Sequence, residues 1–114
     1  MNFALNNNLK AEILVVNDTL TTLDWLVNVL QKNNYQVHLA TDGYSALEIA
    51  KTKLPDLILL DIILPDMSGY SICQQLKKSI QTSEIPIIFT SGVNEGLDVA
   101  KAFQVGVADY IIKP

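Results

Sequence analysis

Four polar side chains at the ends of apolar runs have the types that phosphoryl chemistry requires: the carboxylates of Asp18 and Asp61, the hydroxyl of Ser91 and the ammonium of Lys113. Each stands where an aliphatic run stops. Asp61 closes Leu57-Ile58-Leu59-Leu60, Asn17-Asp18 follow Ile13-Leu14-Val15-Val16, Thr90-Ser91 follow Ile87-Ile88-Phe89, and Lys113 follows Ile111-Ile112. Such short, continuous apolar runs read as strands buried on both faces. In a parallel sheet their carboxyl ends share one edge, where open α/β sheets bind ligands. An aspartate there is placed to be a nucleophile or a metal ligand. If the first and third strands are neighbours, Asp18 and Asp61 face each other and repel unless a cation lies between them. Oxygen ligands suit Mg²⁺, which keeps positions open for water and phosphate oxygens. A hydroxyl and an ammonium then hold the remaining oxygens of a phosphoryl group. The constellation predicts phosphoryl transfer to Asp61.

The elements that must position these groups follow from periodicity. Strands are expected over residues 12–17, 35–40, 56–61, 86–90 and 108–112. Helices are expected over 19–33, 43–53, 68–78 and 95–105. The inner faces predicted for the last three helices are Ala46, Leu47 and Ala50; Ile72, Leu76 and Ile80; and Leu97, Ala100 and Phe103. Asp18 or Thr19 is the expected cap of the first helix. Strands alternating with helices of this length imply right-handed βαβ units and a parallel sheet. The chain is too short for an eight-unit barrel, which leaves a doubly wound, three-layer α/β sandwich. Residues 1–10 are Asn-rich and read as a polar, partly disordered leader to one domain over 11–114.

Composition narrows the function further. The 114 residues carry a net charge of −4 with eight lysines and no arginine, which argues against direct nucleic-acid binding. Hydrophobic residues make up 49% and mean hydropathy is +0.25, as expected for a sheet covered on both faces. No apolar run approaches the ~18 residues of a membrane span, and the start lacks the features of a signal peptide. The expected location is the cytoplasm. The single cysteine, Cys73, excludes an internal disulfide and a cysteine metal cluster, and is expected to pack as a small hydrophobe.

Ile13–Asp18 (ILVVND), Leu57–Tyr70 (LILLDIILPDMSGY), Ile85–Gly92 (IPIIFTSG) and Gly106–Pro114 (GVADYIIKP) together make the chain resemble a receiver domain of two-component response regulators over residues 11–114. The resemblance implies the flavodoxin-like strand order 2-1-3-4-5, known for this fold and not read from spacing here. It implies that Asp61 is the phospho-acceptor and that Asp18 is a Mg²⁺ ligand together with Asp61 and the backbone carbonyl of Ile63. Asn17, where the family usually has a second acid, would reach the metal weakly, through water. Ser91 and Lys113 would contact the phosphoryl group, and Ser91 and Tyr110 would form the conformational switch. The Lys113-Pro114 peptide is often cis in the family. The implied partners are a histidine kinase or phosphotransfer protein and an output domain or downstream protein. The implied role is phosphorelay signalling, not catalytic turnover. The family has a fifth helix after the lysine-proline step. Its absence from these residues predicts exposed apolar surface on the first helix and one sheet face, covered by further chain or by a second copy in a homodimer.

Three other functions fit less well. A phosphatase with an aspartate nucleophile and Mg²⁺ wants an acid two residues after Asp61, and Ile63 cannot move a proton. A flavin mononucleotide binder wants a Ser/Thr/Gly-rich loop after the first strand, where this chain has Asn17-Asp18-Thr19-Leu20. Asn17 keeps a third alternative open, a degenerate receiver that takes no phosphate and works as a protein-binding module.

Overall fold

The computed structural model describes residues 10–113, with the side chains of 20–23 left aside. Most of the leader and Pro114, with its peptide bond, therefore lie outside the described residues. Five strands and four helices alternate: β1 (Glu12–Val16), α1 (Leu20–Lys32), β2 (Gln36–Ala40), α2 (Gly43–Lys53), β3 (Leu57–Asp61), α3 (Gly69–Lys78), β4 (Ile87–Gly92), α4 (Val99–Val105) and β5 (Asp109–Lys113). All strand pairs are parallel, and the order is 2-1-3-4-5. The expected fold class is the observed one.

Alternation along each strand divides the core between the two sheet faces. Leu14, Val16, Ile58, Leu60, Ile87 and Phe89 point to one face and pack with Ala46 and Ala50 of α2, Ile72, Cys73 and Leu76 of α3, and Ala102 of α4. Ile13, Val15 and Leu59 point to the other face, under Leu26 and Leu30 of α1. Helix starts are fixed by side-chain acceptors. Asp42 Oδ1 takes the Ser45 N–H at 2.7 Å, Ser68 Oγ takes the Ser71 N–H at 3.2 Å, and Asp98 Oδ1 takes the Lys101 N–H at 3.0 Å. Thr19 is the N-cap residue of α1 but makes no side-chain capping bond.

Two expectations are corrected. Helix α4 begins at Val99, not Glu95, because Asp98 caps it and Gly96 just upstream has φ +72°. The shift turns Ala102 inward and leaves Ala100 and Phe103 exposed, while Leu97 packs on the core from the loop. Helix α3 stops at Lys78, and Ser79 turns extended (ψ 130°), so Ile80 falls off the helical pattern and is 94% exposed. Thr82 is buried instead, its hydroxyl donating to the Leu76 carbonyl at 2.7 Å. Cys73 is buried as expected. Strand β4 ends two residues later than expected, running through Ser91 to Gly92.

Candidate functional site

Register brings the polar strand ends to one edge. Val16 pairs with Leu60, Asp61 with Thr90, Ser91 with Ile112 and Gly92 with Lys113. Asp61 thus ends the central strand, with Asn17 one step beyond β1 on one side and Thr90 on the other. The Asp61 side chain is only 3% exposed, and Lys113 Nζ lies 3.4 Å from its Oδ2. Burial pushes the Asp61 carboxyl above its ordinary value of 3.8; the Lys113 charge opposes the rise, Glu95 adds to it, and the Lys113 hydrogen bond and the Ile63 backbone pull it down. Asp61 Oδ1 is buried without a hydrogen-bond partner.

The other expected residues surround this carboxylate unevenly. Ser91 is fully buried within β4, and its hydroxyl donates to the Gly92 carbonyl at 3.1 Å. Asp18 is exposed just past β1, and Ile63 is exposed just past β3, joined to Ser68 by an isolated antiparallel bridge. Asn17 is buried. Its Oδ1 accepts the Thr19 N–H at 2.8 Å, and its Nδ2 has no partner. Tyr110 is half-buried on the larger core and meets Phe103 edge-on at 6.1 Å.

The site also holds residues that the sequence reading did not single out. Glu95 lies in the loop after β4, where its Oε1 accepts the Gly92 N–H and stands 3.9 Å from Lys113 Nζ. Reading 95–105 as one helix hid it, although the Gly92–Gly96 spacing was a turn signal. Asp66 accepts the Gly43 and Tyr44 N–H groups at 2.7 and 3.0 Å, tying the loop after Asp61 to the start of α2. Those bonds, the Gly43 one foremost, hold its carboxyl below the ordinary value. Gly69 packs so closely that a Cβ there would stand 2.7 Å from the Asp61 carbonyl oxygen.

A buried carboxylate oxygen with no partner is a donor atom suited to a hard cation. Among the described residues no three His, Cys, Asp or Glu side chains converge as a metal centre. The ligands expected from the sequence, the Asp18 and Asp61 carboxylates and the Ile63 carbonyl, offer oxygen atoms only, which in their chemistry fit an ion that retains water, as Mg²⁺ does.

Residues 13–114 match the sequence profile of the response regulator receiver domain. The chain belongs to this family. Receiver domains are modules of two-component signalling. A receiver-containing relative from Cyanophora paradoxa, "Probable transcriptional regulator ycf27", is 36% identical over 105 residues, which are 92% of this chain and 43% of that protein. Response regulator PleD of Caulobacter vibrioides is 35% identical over 93% of this chain and 23% of its own length. The chain thus spans less than half the length of these relatives. Among solved structures, the receiver domain of a sensor histidine kinase from Pseudomonas aeruginosa, with a magnesium ion in its active-site cleft, superposes with a TM-score of 0.84. It is 30% identical, over 93% of this chain and 87% of that one. A CheY-like receiver from Methanospirillum hungatei gives a TM-score of 0.85 at 26% identity, over 93% and 83% of the two chains.

Proposed function

We propose that this receiver accepts a phosphoryl group on Asp61 from a partner phosphohistidine, with Mg²⁺, and so switches a surface read by an output domain or a downstream protein. The observation that carries the reading is the buried, partnerless Oδ1 of Asp61 beside the Lys113 ammonium, at the strand edge where such folds bind ligands. An Asp61 oxygen attacks phosphorus. The N–P bond of the donor breaks, and the imidazole leaves with the electron pair and takes up a proton. Lys113 neutralises charge on the transferred oxygens, and the Ser91 hydroxyl turns from the Gly92 carbonyl to donate to one of them. Tyr110 follows into the space that Ser91 vacates. Asp18, Asp61 and the Ile63 carbonyl are the residues that would hold Mg²⁺, with Asn17 contributing at most through water because Thr19 already uses its oxygen. When bound, the ion supplies positive charge against the two carboxylates and the incoming phosphoryl oxygens.

Asp61 is modified and must be reset, so the domain signals and does not turn over substrate. The cytoplasm is the proposed location: none of the described helices is long and apolar enough to cross a membrane. Incubation with acetyl phosphate and Mg²⁺, read by intact mass, is expected to add one phosphoryl group to the native chain and none to Asp61→Asn. An unmodified native chain would overturn the proposal. The commitment of the Asn17 oxygen to Thr19 favours a second reading, a receiver that acts as a binding module without phosphate, and an unmodified native chain would support it.

A further inference from the structure

Glu95 is a carboxylate on Lys113 that the phosphoryl-transfer reading leaves without a role. It is not a passing surface acid. Its Oε1 accepts the Gly92 N–H, and it shares Lys113 with Asp61, at 3.9 Å against 3.4 Å. The backbone is shaped to receive it. A Cβ at Gly92 would meet Glu95 Oε1 at 2.9 Å, Cδ at 3.2 Å and Cγ at 3.3 Å, so the carboxylate lies close against Gly92 and would have to move if that residue carried a side chain. On its other side Gly96 has φ +72° and nothing within 4 Å of where its Cβ would be, so the turn has space to move. An oriented backbone N–H and an ammonium at a strand end are donors that an anion seeks, and Glu95 already satisfies them in the unmodified protein.

We propose that Glu95 is a resident carboxylate on the anion-binding donors of the site, competing with the phosphoryl group of Asp61 for Lys113 and the Gly92 N–H, and thereby setting how readily Asp61 is modified. The inference rests on Asp61 being the acceptor. A phosphoryl group there brings close to two negative charges beside an ammonium that Glu95 now shares. Glu95 is both outcompeted and repelled, and it leaves with the Val93–Asp98 loop that carries it. That loop leads directly into the Asp98 cap of α4, so releasing Glu95 also frees the helix start. Glu95 touches no reacting atom in this role and is a positioning residue.

The test compares the native chain with Glu95→Gln, Glu95→Ala and Asp61→Asn. Beryllofluoride with Mg²⁺ serves as the probe, and the Gly92 amide resonance is followed by NMR. Glu95→Gln keeps the shape and the bond to Gly92 but not the charge. Glu95→Ala removes both. The expected result is tighter beryllofluoride binding by about twofold to fivefold in Glu95→Ala, with Glu95→Gln between it and the native chain, as befits a partly screened charge pair. The Gly92 amide is expected to shift in Glu95→Ala before any beryllofluoride is added. Equal or weaker binding in both folded variants, with the native chain responding, would overturn this inference alone. No binding in the native chain or in either Glu95 variant would overturn it together with the proposed function. Binding by the Glu95 variants but not by the native chain would mean that Glu95 holds the site shut, and would support it.

Discussion

A buried carboxylate that shares a single ammonium is a cost to the fold as well as a site. Because the folded-state value of Asp61 is raised, its contribution to stability is complete below the unfolded value and is lost as pH rises through the folded one. Asp61→Asn keeps the shape and removes the charge. It is expected to raise stability at neutral pH by on the order of 1 kcal/mol, about 4–8 °C in Tm for a domain of this size. The gain should vanish below about pH 4, and a gain that persists into acid would rule out charge burial as its cause. Asn17→Asp acts in the opposite sense. It keeps an oxygen for the Thr19 N–H, adds a second acid beside Asp61, and is expected to raise Mg²⁺ affinity roughly threefold to tenfold by calorimetry. Unchanged affinity would mean that position 17 does not reach the ion. At this scale the sequence was legible where a polar residue interrupts an apolar run, which is how Asp18, Asp61, Ser91 and Lys113 were picked out. It was silent on Glu95, whose contacts depend on where a loop folds back, and it named Asn17 without showing that the side-chain oxygen is spent on its own turn.

Among the elements, the loop after β3 has the most to hold. Asp66 spans from that loop to the first turn of α2, where Asp42 supplies a second acceptor, so two acids share the N–H groups that open one helix. Gly69 closes the same loop against the Asp61 backbone, its N–H donating to the Ile62 carbonyl at 2.8 Å. Strand β3, α2 and α3 are thereby locked together around one turn. Asp66→Ala is expected to lower Tm and to speed hydrogen exchange at the Gly43 and Tyr44 amides. Since the Asp66 carboxyl is held low, its stabilisation is present above the ordinary carboxylate range and lost as pH falls through the depressed folded value. The difference between native and Asp66→Ala should therefore shrink in strong acid. Strand positions were readable to within one residue at either end because buried parallel strands are continuous apolar runs. The exception at β4 arises because Ser91 and Gly92 are polar or small yet still pair with β5. The start of α4 was misread because Leu97 continues the apolar spacing of the helix while packing from the loop that precedes it.

Over the whole molecule, the sheet is covered unequally. Three helices and sixteen buried residues seal one face. Among the described residues the other has three buried beneath α1, with Trp25 at 65% exposure and Val29, Leu39 and Ile111 also open to solvent. The expected exposure of apolar surface on the first helix is thus observed in these residues. Native protein is predicted to enhance the fluorescence of an apolar dye such as ANS, and Ile111→Thr to reduce that signal. An equal signal from the variant would place the dye elsewhere. Doubly wound topology was legible from the alternation of elements, whereas the thinner cover on the face of α1 was expected from the family resemblance and not from spacing, which does not say which helix lands on which face. The better-sealed face contains the only cysteine of the sequence. Cys73 donates to the Val105 carbonyl at 3.3 Å, bridging α3 and α4, and burial pushes its thiol up, so it is inert while those helices stay together. A reagent that alkylates thiols therefore acts as a clock on this one seam. The rate at which Cys73 is trapped, with and without beryllofluoride, measures how often α3 and α4 part and whether occupying the acceptor changes that frequency.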